Sequence, residues 1–193
     1  MKERLGAGGL VVYPTSTLPG LGCLPTPTGL DNLFMAKSRS ENMPVSLGVA
    51  TLNQAGSLVH IPDFLPEMLG KFTKGGITVI LPAINEVDGR IGGNQIAIRV
   101  FSHPAATKLA EDFGPITATS ANESGKDAEF DTEIAAKILG VADFIPGICP
   151  NGRGSTFIRL EHDDSEMRGW RLTVMREGVV PPSDVMTWWT IPA

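Results

Sequence analysis

Basic and hydroxyl residues stand where several apolar runs of this chain end, and their types suit an anionic ligand. Lys37-Ser-Arg39 closes an amphipathic run, Arg99 interrupts Ile96–Val100, and Arg176 ends a run at Met175-Arg-Glu-Gly178. Arg153 lies between Gly152 and Gly154, just before Ser155-Thr156. The segment Gly114-Pro-Ile-Thr-Ala-Thr-Ser-Ala-Asn-Glu-Ser-Gly-Lys126 passes from β-branched residues to hydroxyls, an amide and a glycine. Short polar side chains and open backbone N–H groups at a strand's end are what a bound nucleotide or phosphate needs. A surface turn rich in Ser and Asn has the same composition. Cations at a helix C-terminus also complement its dipole with or without a ligand. If the fold gathers these ends around one anion, each charge-assisted contact contributes about 1.5–3 kcal/mol.

Known nucleotide signatures do not account for these residues. Ser120 to Asp127 matches the Gly-Lys pair of a P-loop, but Ser replaces its first glycine and Asp127 stands where Ser or Thr belongs. Gly20-Leu-Gly22 is too short and too close to prolines for a dinucleotide fingerprint. Kinase and nucleophile-elbow signatures are absent. His60, His103 and His162 lack metal-ligand spacing, so no protein-held metal is expected.

The elements that must position these groups alternate between strand and helix. Met1–Leu5 reads as a short helix, and Leu10–Tyr13 as a buried strand stopped by Pro14. Thr15–Thr28 carries three prolines and two glycines and reads as an extended loop. Thr28 with Asp31 has the form of a capping box for a helix running to Lys37. Strands are predicted at Val45–Ala50, Ile77–Leu81, Gln95–Val100 and Ile116–Thr119. Two-residue periodicity puts Arg99 on a face with Ala97, away from Ile96, Ile98 and Val100.

Helices are predicted from Thr51 to Val59, Phe64 to Phe72, Ser102 to Phe113 and Asp131 to Leu139, the last capped by Gly140. Phe144-Ile145, Thr156–Leu160 and Leu172–Met175 complete the strands, with a hairpin loop at Glu161–Arg168. Several strands arrive without a crossover helix between them. That predicts an α/β chain of α+β character: a twisted mixed or antiparallel sheet with helices packed on it, in one domain over residues 1–193.

The chain has 193 residues, of which 42% are apolar and 19% charged, enough for a real core. A formal net charge of −5 argues against a protein devoted to non-specific nucleic-acid binding. No run approaches membrane-span length, and the N-terminus lacks a signal peptide's apolar stretch. Cys23 and Cys149 are isolated, so the expected compartment is the cytoplasm.

The motifs in order resemble the YrdC-type threonylcarbamoyl-adenylate synthases. Gly8-Gly-Leu-Val-Val-Tyr-Pro-Thr-Ser-Thr17 is similar to that family's opening strand and PT-x-T loop, with Gly20-Leu-Gly22 following. Lys37-Ser-Arg39 resembles its KxR signature and Ser120-Ala-Asn122 its SxN signature. Ile98-Arg-Val100, Ser155-Thr156 and Arg176-Glu-Gly178 fall where the family has its remaining motifs.

The resemblance implies synthesis of threonylcarbamoyl-AMP and pyrophosphate from L-threonine, bicarbonate and ATP, with Mg²⁺ arriving on ATP. The product would feed tRNA threonylcarbamoyladenosine formation through a partner enzyme. By the same resemblance Lys37 and Arg39 are the catalytic pair, holding phosphates and the threonine carboxylate. Ser120, Asn122, Ser155 and Arg176 would bind the nucleotide, and Thr15, Thr17 and Arg99 the amino-acid side. Thr117 and Thr119 read as sheet residues without a role of their own.

Four features depart from the family pattern. Ser16 stands at its acidic position and Pro19 at its tyrosine, Gly48 replaces a histidine, and Lys74-Gly-Gly76 replaces a PGP. Two alternatives therefore stay open: a paralogue using a nucleotide for another carbamoyl or acyl transfer, and a non-catalytic module that binds double-stranded RNA.

Overall fold

A computed structural model describes residues 1–191 apart from Asn151 and Met167. The chain begins with α1 (Lys2–Gly6), then β1 (Val11–Tyr13), β2 (Gly20–Gly22) and α2 (Pro27–Ala36). Next come β3 (Leu47–Val49), α3 (Leu52–Ala55), α4 (Leu65–Lys71), β4 (Ile77–Pro82) and β5 (Gln95–Val100). α5 (Pro104–Phe113) leads to β6 (Ile116–Thr117), β7 (Thr119–Ser120), α6 (Thr132–Leu139) and β8 (Asp143–Phe144). The hairpin β9 (Thr156–His162) and β10 (Trp170–Arg176) precedes α7 (Pro182–Thr190).

The fold is mixed α/β, as expected, but the strands form two sheets rather than one. Their orders are β7-β2-β1-β8 and β10-β9-β4-β5-β3-β6, and both mix parallel and antiparallel pairs. The larger core joins Leu30 and Leu33 of α2, Met68 of α4 and Val185 of α7 to inward residues of both sheets. A smaller core gathers Val11, Tyr13, Phe101, Leu109 and Ile116. Among the described residues no helix is long and apolar enough to cross a membrane.

Three expectations are corrected, and one element is added. The proline-rich segment after Pro14 contains β2, which pairs antiparallel with β1. Gly20 and Gly22 make this pairing fit, because a Cβ at either would lie 2.7 or 2.8 Å from the Tyr13 ring. α2 is capped by Thr26, whose hydroxyl accepts from Gly29 N, rather than by Thr28. The strand expected at Ile116–Thr119 breaks at Ala118: β6 joins the six-stranded sheet and β7 the four-stranded one. The C-terminal stretch forms α7, whose Trp188 and Trp189 pack near Phe64. Of the hairpin loop expected at Glu161–Arg168, Met167 lies outside the described residues, and the flanking strands extend further than predicted.

Candidate functional site

One face of the six-stranded sheet carries a row of neighbours drawn from all six strands. Arg176 on β10 opposes Phe157 on β9, and Phe157 opposes Thr78 on β4. Val79 opposes Ile98, which brings Thr78 alongside Arg99 on β5. Arg99 opposes Gly48 on β3, and Gly48 opposes Ile116 on β6. Directly paired residues point to the same side of a sheet. The row therefore forms a floor with an arginine at one end and another in its middle.

A cavity of about 600 Å³ lies over this floor. Its opposite side comes from the four-stranded sheet and its loops: Tyr13, Thr15, Thr17, Leu18, Pro19, Gly20, Thr119 and Ser120. The break at Ala118 makes this arrangement, since Gly114–Lys126 crosses from one sheet to the other and walls the cavity between them.

Four arginines line the cavity: Arg153 pairs with Glu177, which also lines it, at 3.0 Å, and the other three are held by carbonyl and hydroxyl oxygens. Arg99 is 7% exposed; its Nε donates to Gly75 O at 2.9 Å, and its Nη2 to Thr17 Oγ1 at 2.8 Å and Ser16 Oγ at 3.3 Å. Arg39 donates from Nε to Met43 O at 2.6 Å and from Nη2 to Pro44 O at 3.0 Å. Arg176 Nη2 donates to Ser155 O at 2.8 Å, and its Cζ lies 4.2 Å from the centre of the Phe157 ring. Burial pushes all three below the usual arginine value, Arg99 to about 10. Arg176 adds to the effect on Arg39 and on Arg99. Arginine remains charged at neutral pH, so this is chiefly the cost of burying cations, with mutual repulsion a smaller part, and an anion would offset it.

The smaller groups are equally fixed. Thr15 Oγ1 donates to Leu18 O at 2.7 Å and accepts from Thr17 N at 3.1 Å, a tight hydroxyl-braced turn. Ser155 Oγ lies 2.6 Å from Thr78 Oγ1 on the floor. Thr15 N also meets Cys149 Sγ at 3.4 Å, and burial raises that thiol's pKa.

Thr15, Thr17, Arg39, Arg99, Ser120, Ser155 and Arg176 thus line one cavity, whereas Lys37 and Asn122 do not. Lys37 is 1% exposed and lies beneath the Ser120–Asn122 turn. Its Nζ donates to the carbonyls of Ser120 and Asn122 and reaches Asn122 Oδ1 at 3.5 Å. Ser38 sends the two cations in different directions: at φ 48° it is left-handed and ends α2, with Ser38 N bonded to Met35 O and Arg39 N to Phe34 O.

Sequence reasoning missed Tyr13, Ser46, Thr119 and Phe157 as lining residues. Thr119, expected to be a plain sheet residue, lines the cavity from β7. Tyr13, beside Pro14-Thr15, is the chain's one tyrosine and offered a signal; Ser46 offered none. Where the family pattern has a histidine, Gly48 leaves room for a ring, since a Cβ there would lie 1.8 Å from Phe101 Cζ.

A family model described as telomere recombination, the Sua5/YciO/YrdC domain, matches residues 3–178. The chain belongs to the Sua5/YciO/YrdC family. The threonylcarbamoyl-AMP synthase of Alkalilimnicola ehrlichii is 34% identical over 165 residues, covering 81% of this chain and 86% of that protein. The enzyme of that name from Pyrococcus abyssi is 30% identical over 184 residues, covering 92% of this chain and 53% of that protein. A crystal structure of P. abyssi Sua5 complexed with L-threonine superposes with a TM-score of 0.83 at 29% identity, covering 96% of this chain and 55% of that one. Escherichia coli YciO gives 0.74 at 26%, covering 92% and 86%. The chain thus spans about half the length of the P. abyssi protein.

Proposed function

We propose that the chain is a threonylcarbamoyl-AMP synthase acting as one domain over residues 1–193, making its product from L-threonine, bicarbonate and ATP for tRNA threonylcarbamoyladenosine formation. The observation that carries this reading is the convergence of Arg39, Arg99 and Arg176 on one cavity, where their hydrogen bonds go only to carbonyl and hydroxyl oxygens. Such a site is electrostatically incomplete until an anion enters. Its volume suits a nucleotide with a small amino acid.

In this reading threonine's amine and bicarbonate condense to N-carboxythreonine and water. A carbamate oxygen then attacks the α-phosphate, an oxygen–phosphorus bond forms, and the bond to the β-phosphate breaks as pyrophosphate leaves with its electron pair. Arg39, Arg176 and Ser155 hold the phosphates, Ser120 faces the nucleoside, and Thr15, Thr17 and Arg99 hold the amino-acid side. Positioning and fixed positive charge supply the catalysis, with no covalent enzyme intermediate. Mg²⁺ enters as the ATP complex. The reading places the enzyme in the cytoplasm, handing its product to a partner enzyme.

The test is pyrophosphate release from Mg-ATP and bicarbonate with and without threonine, with the adenylate identified by mass spectrometry. Release that ignores threonine overturns the reading. A second reading, the same chemistry on another amino acid, is favoured by Ser16 beside Arg99 and by Phe101 filling the space at Gly48. A panel of amino acids in the same assay separates the two.

A further inference from the structure

A second cavity, of about 400 Å³, lies behind the six-stranded sheet, back to back with the first. Alternation along the strands puts it there: Arg99 lines the first cavity, while its neighbour Val100 lines the second, with Ile77 of β4 alongside. Leu69 of α4 and Thr107 of α5 close it from the helix side. The volume falls within the range of small-molecule sites, about 300–1,000 Å³. Its lining is largely apolar, with hydroxyls from Ser102 and Thr107. Lys74 is its one charged residue, and among the described residues no carboxylate lines it.

The two cavities share a wall. Gly75 lines the second, yet its carbonyl accepts from Arg99 Nε at 2.9 Å and so helps to aim that guanidinium into the first. Ser102 Oγ donates to Lys74 O at 2.8 Å, which ties the same loop to the end of β5. Gly75 has φ 72°, and a Cβ there would lie 2.6 Å from Ser16 Oγ and 2.8 Å from Ser102 Oγ. The loop is thus wedged between Ser16, a partner of Arg99, and Ser102, a residue of the second cavity. Where the family pattern has PGP, Lys74-Gly-Gly76 lacks proline's fixed φ, so this wall has more freedom to lose.

We infer that the second cavity is a regulatory site for a small monocarboxylic acid with an apolar body, a branched alkyl chain or a single aromatic ring, whose binding tightens amino-acid binding in the first cavity through Gly75. The apolar body packs against Leu69, Ile77 and Val100, and the carboxylate takes Lys74 and the hydroxyls of Ser102 and Thr107. An occupant orders the Lys74–Gly76 loop, so that Arg99 meets the amino acid already held. Linkage makes the effect reciprocal. The coupling rests on the amino-acid role proposed for Arg99; the site itself does not.

The test is an NMR titration of the isotope-labelled full chain with 3-phenylpropionate, and with its neutral amide as control. The acid should shift the Phe72 and Thr107 amide signals and the Arg99 Nε–H signal together. Gly70→Phe fills the cavity from α4, where a Cβ meets nothing within 4 Å, and should abolish these shifts with the fold intact. Lys74→Met should weaken the acid about two- to fivefold, as for an exposed ion pair, and leave the amide unchanged. In the pyrophosphate assay saturating acid should lower the threonine KM about fivefold in the wild type but not in Gly70→Phe. No shift at Phe72 and Thr107, or shifts that survive in Gly70→Phe, overturns the site. Equal affinity for acid and amide overturns the carboxylate class. Shifts at Phe72 and Thr107 with a still Arg99 signal overturn the coupling. Both sets of shifts in a chain that releases no pyrophosphate overturn the synthase reading and leave the site standing.

Discussion

Two turns on the same side of the cavity are each held by a buried cation of a different kind. Lys37 grips the Ser120–Asn122 turn through three oxygens, two carbonyls and an amide, and takes no part in lining the cavity. Arg99 grips the Ser16–Thr17 turn and the Gly75 carbonyl, and does line it. The difference follows from shape. A compact ammonium can be enclosed by converging oxygens until no charge faces outward. A planar guanidinium spans two segments with one edge and keeps another for a ligand. One cation acts only through the backbone it holds; the other acts on its turn and on whatever anion enters.

The sharpest way to break this contrast is Arg99→Met. The substitution strips donors from Gly75 O, Ser16 Oγ and Thr17 Oγ1, and it removes a cation from the cavity itself. Hydrogen bonds to charged groups contribute about 1.5–3 kcal/mol each, so losing more than one should lower pyrophosphate release by about 100-fold or more. The loss should appear in the amino-acid KM as well as in kcat, while ATP affinity falls far less. Steady-state kinetics with each substrate varied in turn checks this. A variant that kept near-normal turnover would make Arg99 a scaffold residue like Lys37.

A smaller effect, with a definite sign, comes from titrating Lys37. Burial, reinforced by Arg39, pushes its pKa down to about 8, against 10.5 for an ordinary lysine. Between those values the unfolded chain holds the proton and the folded chain releases it. Folding stability from this group therefore rises with pH across the interval, the burial cost being present below it and relieved above. The latch changes in the opposite sense, because a neutral amine holds the two carbonyls and Asn122 less firmly. Urea unfolding of the wild type and Lys37→Met from roughly pH 7 to 10 should show the wild type gaining stability relative to the variant. Parallel curves for the two proteins would mean that Lys37 keeps an ordinary pKa.

Strands β4 and β5 were legible because their apolar runs are bounded by turn residues, and α6 because Asp131 and Gly140 cap it as their chemistry requires. β2 was not legible: Gly20-Leu-Gly22 has little strand propensity, and the Tyr13 ring crossing it makes the pairing possible. The break at Ala118 was hidden for a related reason, since both halves carry strand-forming residues and only the tertiary structure assigns them to different sheets. In the site, Arg99 and Arg176 stood out as charges in or ending apolar runs. The divergence of Lys37 and Arg39 did not, because two residues of spacing say nothing about direction until Ser38 turns left-handed.

That turn supplies the smallest prediction. Ser38 is exposed and occupies the position after the helix cap, where glycine is favoured because a Cβ there is strained. Replacing it by glycine removes that strain but adds freedom to the unfolded chain, so Ser38→Gly should stabilise the fold by about 0.5–1 kcal/mol. The midpoint of urea unfolding should rise at unchanged slope. Both cations would still project as they do now, so ATP affinity should stay at the wild-type value. A loss of that affinity, with stability raised, would show that the motif's middle residue does more than set the angle between a lysine aimed under the turn and an arginine aimed into the cavity.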